Sequence, residues 1–192
     1  AAARGGSQAG AAARLLRAAI ASASGAEVVI HGRLSGHLPA PGTVTDRDLW
    51  RIVPYENRIG LCRLTAAELK EVLEEALAQP GDRAVMGVTG LSCEIDPSAP
   101  AGARVRRLAL PDGRAPHARQ RFLTAFNSHV LATGGRRFPV VRRLAFLPES
   151  RFELTGIDTR DALRRWLEKR KTVGPADLPA PGYRVTPRAP GR

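Results

Sequence analysis

Residues 57–81, NRIGLCRLTAAELKEVLEEALAQPG, hold the reading that decides the fold. The first part, NRIGLCRL, alternates enough between apolar and polar or small side chains to be a strand. Thr65 and Glu68 then form a capping box, in which each side chain accepts a hydrogen bond from a backbone N–H that the helix start would leave unpaired. Leu69, Val72, Leu73, Ala76 and Leu77 follow at helical spacing as one apolar stripe, and Pro80-Gly81 marks the stop. A strand that feeds a one-sided helix calls for further sheet and further helices to cover both.

The flanking sequence supplies them. SQAGAAARLLRAAIASASG (residues 7–25) reads as an alanine-rich helix with Leu15, Leu16, Ala19 and Ile20 on one face and Gly25 as its terminator. AEVVIHG follows as a short buried strand, and RLSGHLPAPG as an irregular loop. TDRDLWRIVP begins with Thr45 and Asp48 in a capping pattern and reads as a short helix stopped by Pro54. Downstream, AVMGVTGLSCEID, ARVRRLALPDGR and RFLTAFN read as strands joined by Pro/Gly turns. RRLAFLP and RFEL read as short extended pieces, and DTRDALRRWLEKR as a last helix with Leu163, Trp166 and Leu167 on one face. The expectation is an α+β domain, a mixed sheet with helices packed on it. Its folded part would span residues 7–171, after a loose end at 1–6 and before a Pro/Gly-rich disordered tail at 172–192.

Composition bounds the function. The 192 residues suffice for one domain, and 43% hydrophobic content supports a core. The net charge of +12 would suit a polyanion. The cations, however, are arginines apart from Lys70, Lys169 and Lys171, and no Lys/Arg block is long enough for a nucleic-acid arm, so no nucleic-acid partner is expected. No run approaches the ~20 apolar residues of a membrane span. Cys62 and Cys93 lie in apolar, strand-like runs and could be core thiols or one disulfide. His31, His37, His117 and His129 are scattered without metal-ligand spacing. No G-x-S-x-G elbow or phosphate-cradling P-loop occurs. Neither a catalytic set nor a metal site is expected in this chain.

Two features favour binding. Tyr55, in VPYENR, directly follows a helix-ending proline, where a ring can stack on a planar ligand or pack over the core edge. SHVLATGGRRFP (residues 128–139) carries Gly134-Gly135, which can serve a tight turn or the edge of a ligand site.

Taken in order, TVTDRDLWRIVPYENRIGLCRLTAAELKEVLEEAL, VTGLSCEID and FLTAFNSHVLATGGRRF resemble the C-terminal domain of the 5′-nucleotidase family, over roughly residues 7 to 170. The resemblance implies a substrate-recognition domain for nucleotides or related phosphate esters. The two divalent metal ions and the phosphoester hydrolysis would belong to an N-terminal metallophosphoesterase domain absent from this chain. A first residue other than methionine fits a piece of such a longer polypeptide. The resemblance also implies a periplasmic, secreted or surface-attached location. An alternative is a non-catalytic binding module of the same fold with an altered or lost nucleotide site.

Carried over residue by residue, the resemblance places Tyr55 as one of two aromatics that sandwich the base and Asn57 as a shaper of its loop. Val130 stands where the second aromatic is expected. Gly134 and Gly135 bring backbone beside the nucleoside, and Arg136 replaces the usual ribose-binding aspartate with a group that cannot accept a hydrogen bond. His31-Gly32 replaces the Asn-Gly that approaches the phosphate. Ser35 falls opposite the usual phosphate arginine, with Arg33 two positions earlier as a possible substitute or a solvated loop residue.

Overall fold

The computed structural model describes residues 8–32, 34–35, 37–79 and 86–186. The first two elements are α1 (Gln8–Ser24) and β1 (Val28–His31). Next come α2 (Asp46–Ile52), β2 (Arg58–Thr65), α3 (Ala66–Ala78) and β3 (Gly87–Thr89). β4 (Ser92–Ile95), β5 (Val105–Ala109), β6 (Arg121–Asn127) and α4 (Ser128–Leu131) lead to α5 (Pro139–Ala145). β7 (Glu153–Asp158), α6 (Thr159–Arg170) and β8 (Tyr183–Val185) complete the order. A five-stranded sheet runs β3-β1-β6-β2-β7, and a three-stranded sheet runs β5-β4-β8. β1 and β6 are parallel, as are β4 and β8, and the remaining pairs are antiparallel. The expected α+β class, a mixed sheet with helices on it, is what forms.

β2 shows why the sheet is buried on both faces. Cys62 and Leu64 join Leu69, Val72 and Leu73 of α3 and Val141 and Leu144 of α5 in one core. Ile59 and Leu61, one pleat away, join Leu16 and Ile20 of α1 and Leu163 and Trp166 of α6 in the other. Each such side chain contributes about 1.5–3 kcal/mol by leaving water. The capping box of α3 forms as expected: Glu68 Oε2 accepts from the Thr65 N–H at 2.7 Å, and Thr65 Oγ1 accepts from the Glu68 N–H at 3.3 Å. The same exchange between Thr45 and Asp48 opens α2. Cys62 and Cys93 are free and buried, and burial pushes both thiols up to about 12.

Two expectations are corrected. RRLAFLP is not extended: its first part lies in α5, which starts at Pro139. The N–H groups of Val140 and Val141 donate to the Glu75 carboxylate of α3 at 2.7 and 3.1 Å, so the cap comes from another helix and leaves no local signal. The segment after residue 171 is not a disordered tail as far as residue 186. Cys93 N donates to Gly182 O at 2.7 Å, β8 pairs with β4, and the Tyr183 hydroxyl donates to Met86 O at 2.7 Å. Gly182 passes so close to the Val88 backbone that a Cβ there would collide with it. The loose end at 1–6, the Pro80-Gly81 stop and residues 187–192 lie outside the described residues.

Candidate functional site

Strand polarity places three predicted segments at one end of the five-stranded sheet. His31 ends β1 and Asn127 ends the parallel β6. The Tyr55 loop enters β2 beside them, since Ile59 pairs with Asn127 and the Arg58 N–H donates to Ser128 Oγ at 3.1 Å.

Tyr55 is 57% exposed while the backbone that carries it is tied down. The buried Arg160, in the first turn of α6, donates from Nε to Val53 O at 3.0 Å and from Nη2 to Tyr55 O at 3.3 Å. Its guanidinium also lies 3.3 Å from the centroid of Trp50, a stacked cation–π contact. Thr159 donates twice to Asn57 O, from N at 2.9 Å and from Oγ1 at 2.7 Å. Asn57 thus shapes the loop through its carbonyl. The result is a fixed platform with a free aromatic face, the arrangement that stacking on a planar group requires. Sequence reading missed Arg160. Its signal was an arginine three residues before Leu163, in register with the apolar stripe of α6.

The SHVLATGGRRFP segment is built differently. Its SHVL part is the short helix α4, capped by Asn127, whose Oδ1 accepts from the Val130 N–H at 2.8 Å. Thr133, Gly134, Gly135 and Arg136 then follow with φ of 75°, 53°, 72° and 70°. Such a left-handed run is adverse for Thr and Arg and is held by many bonds. Gly134 N donates to His129 O at 2.7 Å, Arg136 N to Thr133 Oγ1 at 3.1 Å, and Phe138 N to Thr133 O at 2.9 Å. Arg137 Nε donates to Gly134 O, and Gln79 Nε2 to Arg137 O, both at 2.7 Å. The two glycines differ: a Cβ on Gly134 would strike the Phe138 ring, whereas one on Gly135 would meet open space.

Val130 is only 5% exposed and lies in the core with Leu131 and Phe138, so it presents no apolar face to a ligand. That corrects its expected place among the binding residues: an apolar side chain at the base of α4 gains more from the core than from solvent. Arg136 is exposed. Ser35 donates from Oγ to Ile52 O at 3.3 Å and accepts from the His37 N–H at 3.2 Å, which commits it to holding its loop. Arg33 lies outside the described residues.

His31 is 1% exposed and Asn127 is buried beside it. His31 Nδ1 lies 2.5 Å from Gly32 O, and Nε2 lies 3.1 Å from Asn127 Nδ2. Burial drives the imidazole down to about 4, the Gly32 bond partly opposes this, and the cationic Arg17 adds to it. Arg17 itself, lowered to about 10 by burial, donates to His31 O at 3.1 Å and to Thr89 Oγ1 at 3.0 Å. Asn127, like Arg160, was missed as a site residue, although an asparagine directly before a helical stretch is an N-cap signal. Among the described residues no three His, Cys, Asp or Glu side chains converge to hold a metal ion. The exposed Tyr55 ring on its tied loop has the geometry to stack on a planar group.

The sequence model of the 5′-nucleotidase C-terminal domain matches residues 2–143. The chain belongs to that family. The 5′-nucleotidase precursor of Thermus thermophilus has the same fold, with a TM-score of 0.75 at 20% identity over 92% of this chain and 35% of its own length. The NAD nucleotidase of Haemophilus influenzae gives 0.75 at 17% identity, covering 92% of this chain and 33% of its own. A sulfate thiohydrolase of Thermus thermophilus, solved with glycerol, gives 0.66 at 22% identity over 92% and 32%. This chain therefore spans about a third of the length of the solved structures it matches. No match was found among curated protein sequences.

Proposed function

We propose that this 5′-nucleotidase C-terminal domain is the substrate-recognition part of a metallophosphoesterase that hydrolyses nucleotides or related phosphate esters. The observation that carries the reading is the exposed Tyr55 ring on a loop held rigid by Arg160 and Thr159. With the backbone held, only the side-chain rotation of Tyr55 is left to be ordered on stacking, which is worth about 1–3 kcal/mol per base. We assign Gly134, Gly135 and Arg136 to a backbone edge of the same site and Gly32 to its β1 side, with Arg33, next in sequence, as a candidate partner for the phosphate. Water activated on two divalent ions would act from an N-terminal domain of the parent polypeptide, placed outside the cytoplasm as periplasmic, secreted or surface-attached.

Titration of nucleotides against the chain and its Tyr55→Ala variant tests this reading. Measurable binding, weakened at least fivefold by the substitution, is expected. Phosphatase turnover by this chain alone with added divalent metal, lost on mutation of its own residues, would overturn the assignment. A second reading is favoured by buried Val130 and cationic Arg136: a non-catalytic module whose nucleotide site is altered or lost. It predicts equally weak binding of all nucleotides, unchanged in Tyr55→Ala.

A further inference from the structure

The two backbone walls of the candidate site are joined by a single chain of hydrogen bonds that permits one proton arrangement. Asn127 Oδ1 is taken by the Val130 N–H at 2.8 Å, so the amide must turn its NH2 toward the imidazole. An NH2 group only donates, so His31 Nε2 must be the acceptor. The ring proton of the neutral imidazole is then on Nδ1, where it donates to Gly32 O at 2.5 Å. Gly32 belongs to the loop after β1. Val130 belongs to α4, whose next residues turn into the left-handed Gly134-Gly135 run. The path Gly32–His31–Asn127–Val130 spans 98 residues of sequence in three hydrogen bonds, of which those at Asn127 are buried and the one at Gly32 is partly buried.

We propose that His31 and Asn127 are positioning residues of the candidate ligand site: a neutral, single-tautomer latch that holds the Gly32 and Gly134 loops in register and releases them when the ring is protonated. The inference rests on the assignment of these loops to the ligand site. Protonation places an N–H on Nε2 opposite the Asn127 NH2. If the amide rotates to accept that proton, the Val130 N–H loses its acceptor and faces an NH2 instead. Either the latch opens or α4 loses its cap. The groups around the ring offer a cation no compensation. β3 (Gly87–Thr89) and the adjoining end of β6 (Thr124–Asn127) carry no ionisable side chain. Neighbouring β2 (Arg58–Thr65) carries no acidic side chain, Arg17 of α1 is positive and donates to His31 O, and Arg160 at the start of α6 is committed to two carbonyls. Burial and Arg17 depress the ring to about 4. The sign follows: between the ordinary histidine value of ~6.5 and about 4 the unfolded chain takes up a proton that the folded one refuses, so stability declines as pH falls through this window.

The test uses the free chain, so its outcome is independent of whether nucleotides bind. Nitrogen NMR of the imidazole should show the proton on Nδ1 alone at pH 7. The amides of Val130, Gly134 and Gly135 should shift in concert with His31 on acidification. Asn127→Asp supplies a carboxylate that can cap Val130 and accept from Nε2 together. In that variant Nε2 should be protonated at pH 7 with the Val130 amide still protected from exchange. His31→Gln reaches the Nε2 position and keeps the acceptor for Asn127, whereas His31→Asn reaches only the Nδ1 position. Exchange at Val130 and Gly134 should therefore be about fivefold faster in His31→Asn than in His31→Gln, the loss expected for one hydrogen bond. A proton on Nε2 in the wild-type chain, or equal exchange in the two His31 variants, would overturn the proposal.

Discussion

The two loops that flank the ends of β2 and β6 reach rigidity by opposite means. The Tyr55 loop is held from outside, by Arg160 and Thr159 more than 100 residues downstream, and leaves its aromatic ring in solvent. The Gly134 loop is held mainly from within, by bonds among residues 127–138, with one added from Gln79 at the end of α3 to Arg137 O, and buries Val130, Leu131 and Phe138. The first arrangement frees a side chain for a ligand. The second offers backbone and spends its side chains on the core. Under the proposed function, the first loop would supply a ring to the ligand and the second peptide groups.

Removing the external support is the most severe way to break this contrast. Arg160→Ala leaves two carbonyls without a donor and uncovers the stacked face of the half-exposed Trp50 ring. Hydrogen bonds to a charged group are worth about 1.5–3 kcal/mol, and a loss of ~3 kcal/mol is expected in urea unfolding. The internal loop should respond to its own residues. Gly134→Ala combines a positive φ with a clash against the Phe138 ring, so a loss of about 2 kcal/mol is expected. Gly135→Ala carries the conformational penalty alone and should cost ~1 kcal/mol. Equal effects at the two glycines would show that packing against Phe138 does not distinguish them.

Further from the loops, Glu75→Gln tests the cap that α3 lends to α5. A neutral amide oxygen can still accept one of the two N–H bonds, and a loss of about 1 kcal/mol in the same unfolding assay is expected. Tyr55→Ala should change stability least, within ±0.5 kcal/mol, because the ring is exposed and its loop is tied through carbonyls. A large loss of stability in Tyr55→Ala would mean that the ring serves the fold and would erase the contrast between the loops.

Much of the fold was legible because its signals are local. Thr65 with Glu68, and Thr45 with Asp48, announce helix starts within four residues, and the stripe from Leu69 to Ala76 shows which face is buried. The α5 helix was misread because its cap, Glu75, is 64 residues before Pro139. The ordering of Tyr183 was misread because Pro/Gly richness describes an isolated segment, not one that finds a free edge of β4. In the candidate site, Tyr55 and the glycine pair were readable from type and position, but the burial of Val130 was not, since a solvent-facing and a core-facing valine look the same in sequence.

What the sequence determined by itself is the family, the order of helices and strands, and the choice of residue types at the site: a tyrosine after a proline, a histidine before a glycine, and an arginine after the Gly-Gly pair. Only the tertiary structure decided which of these are free. It committed Ser35 to its loop, Val130 to the core and His31 to Asn127, and it left Tyr55 exposed. The physical reason is that hydrogen-bond partners and burial are assigned by contacts between segments 17, 96 and 107 residues apart, and no local pattern encodes those pairings.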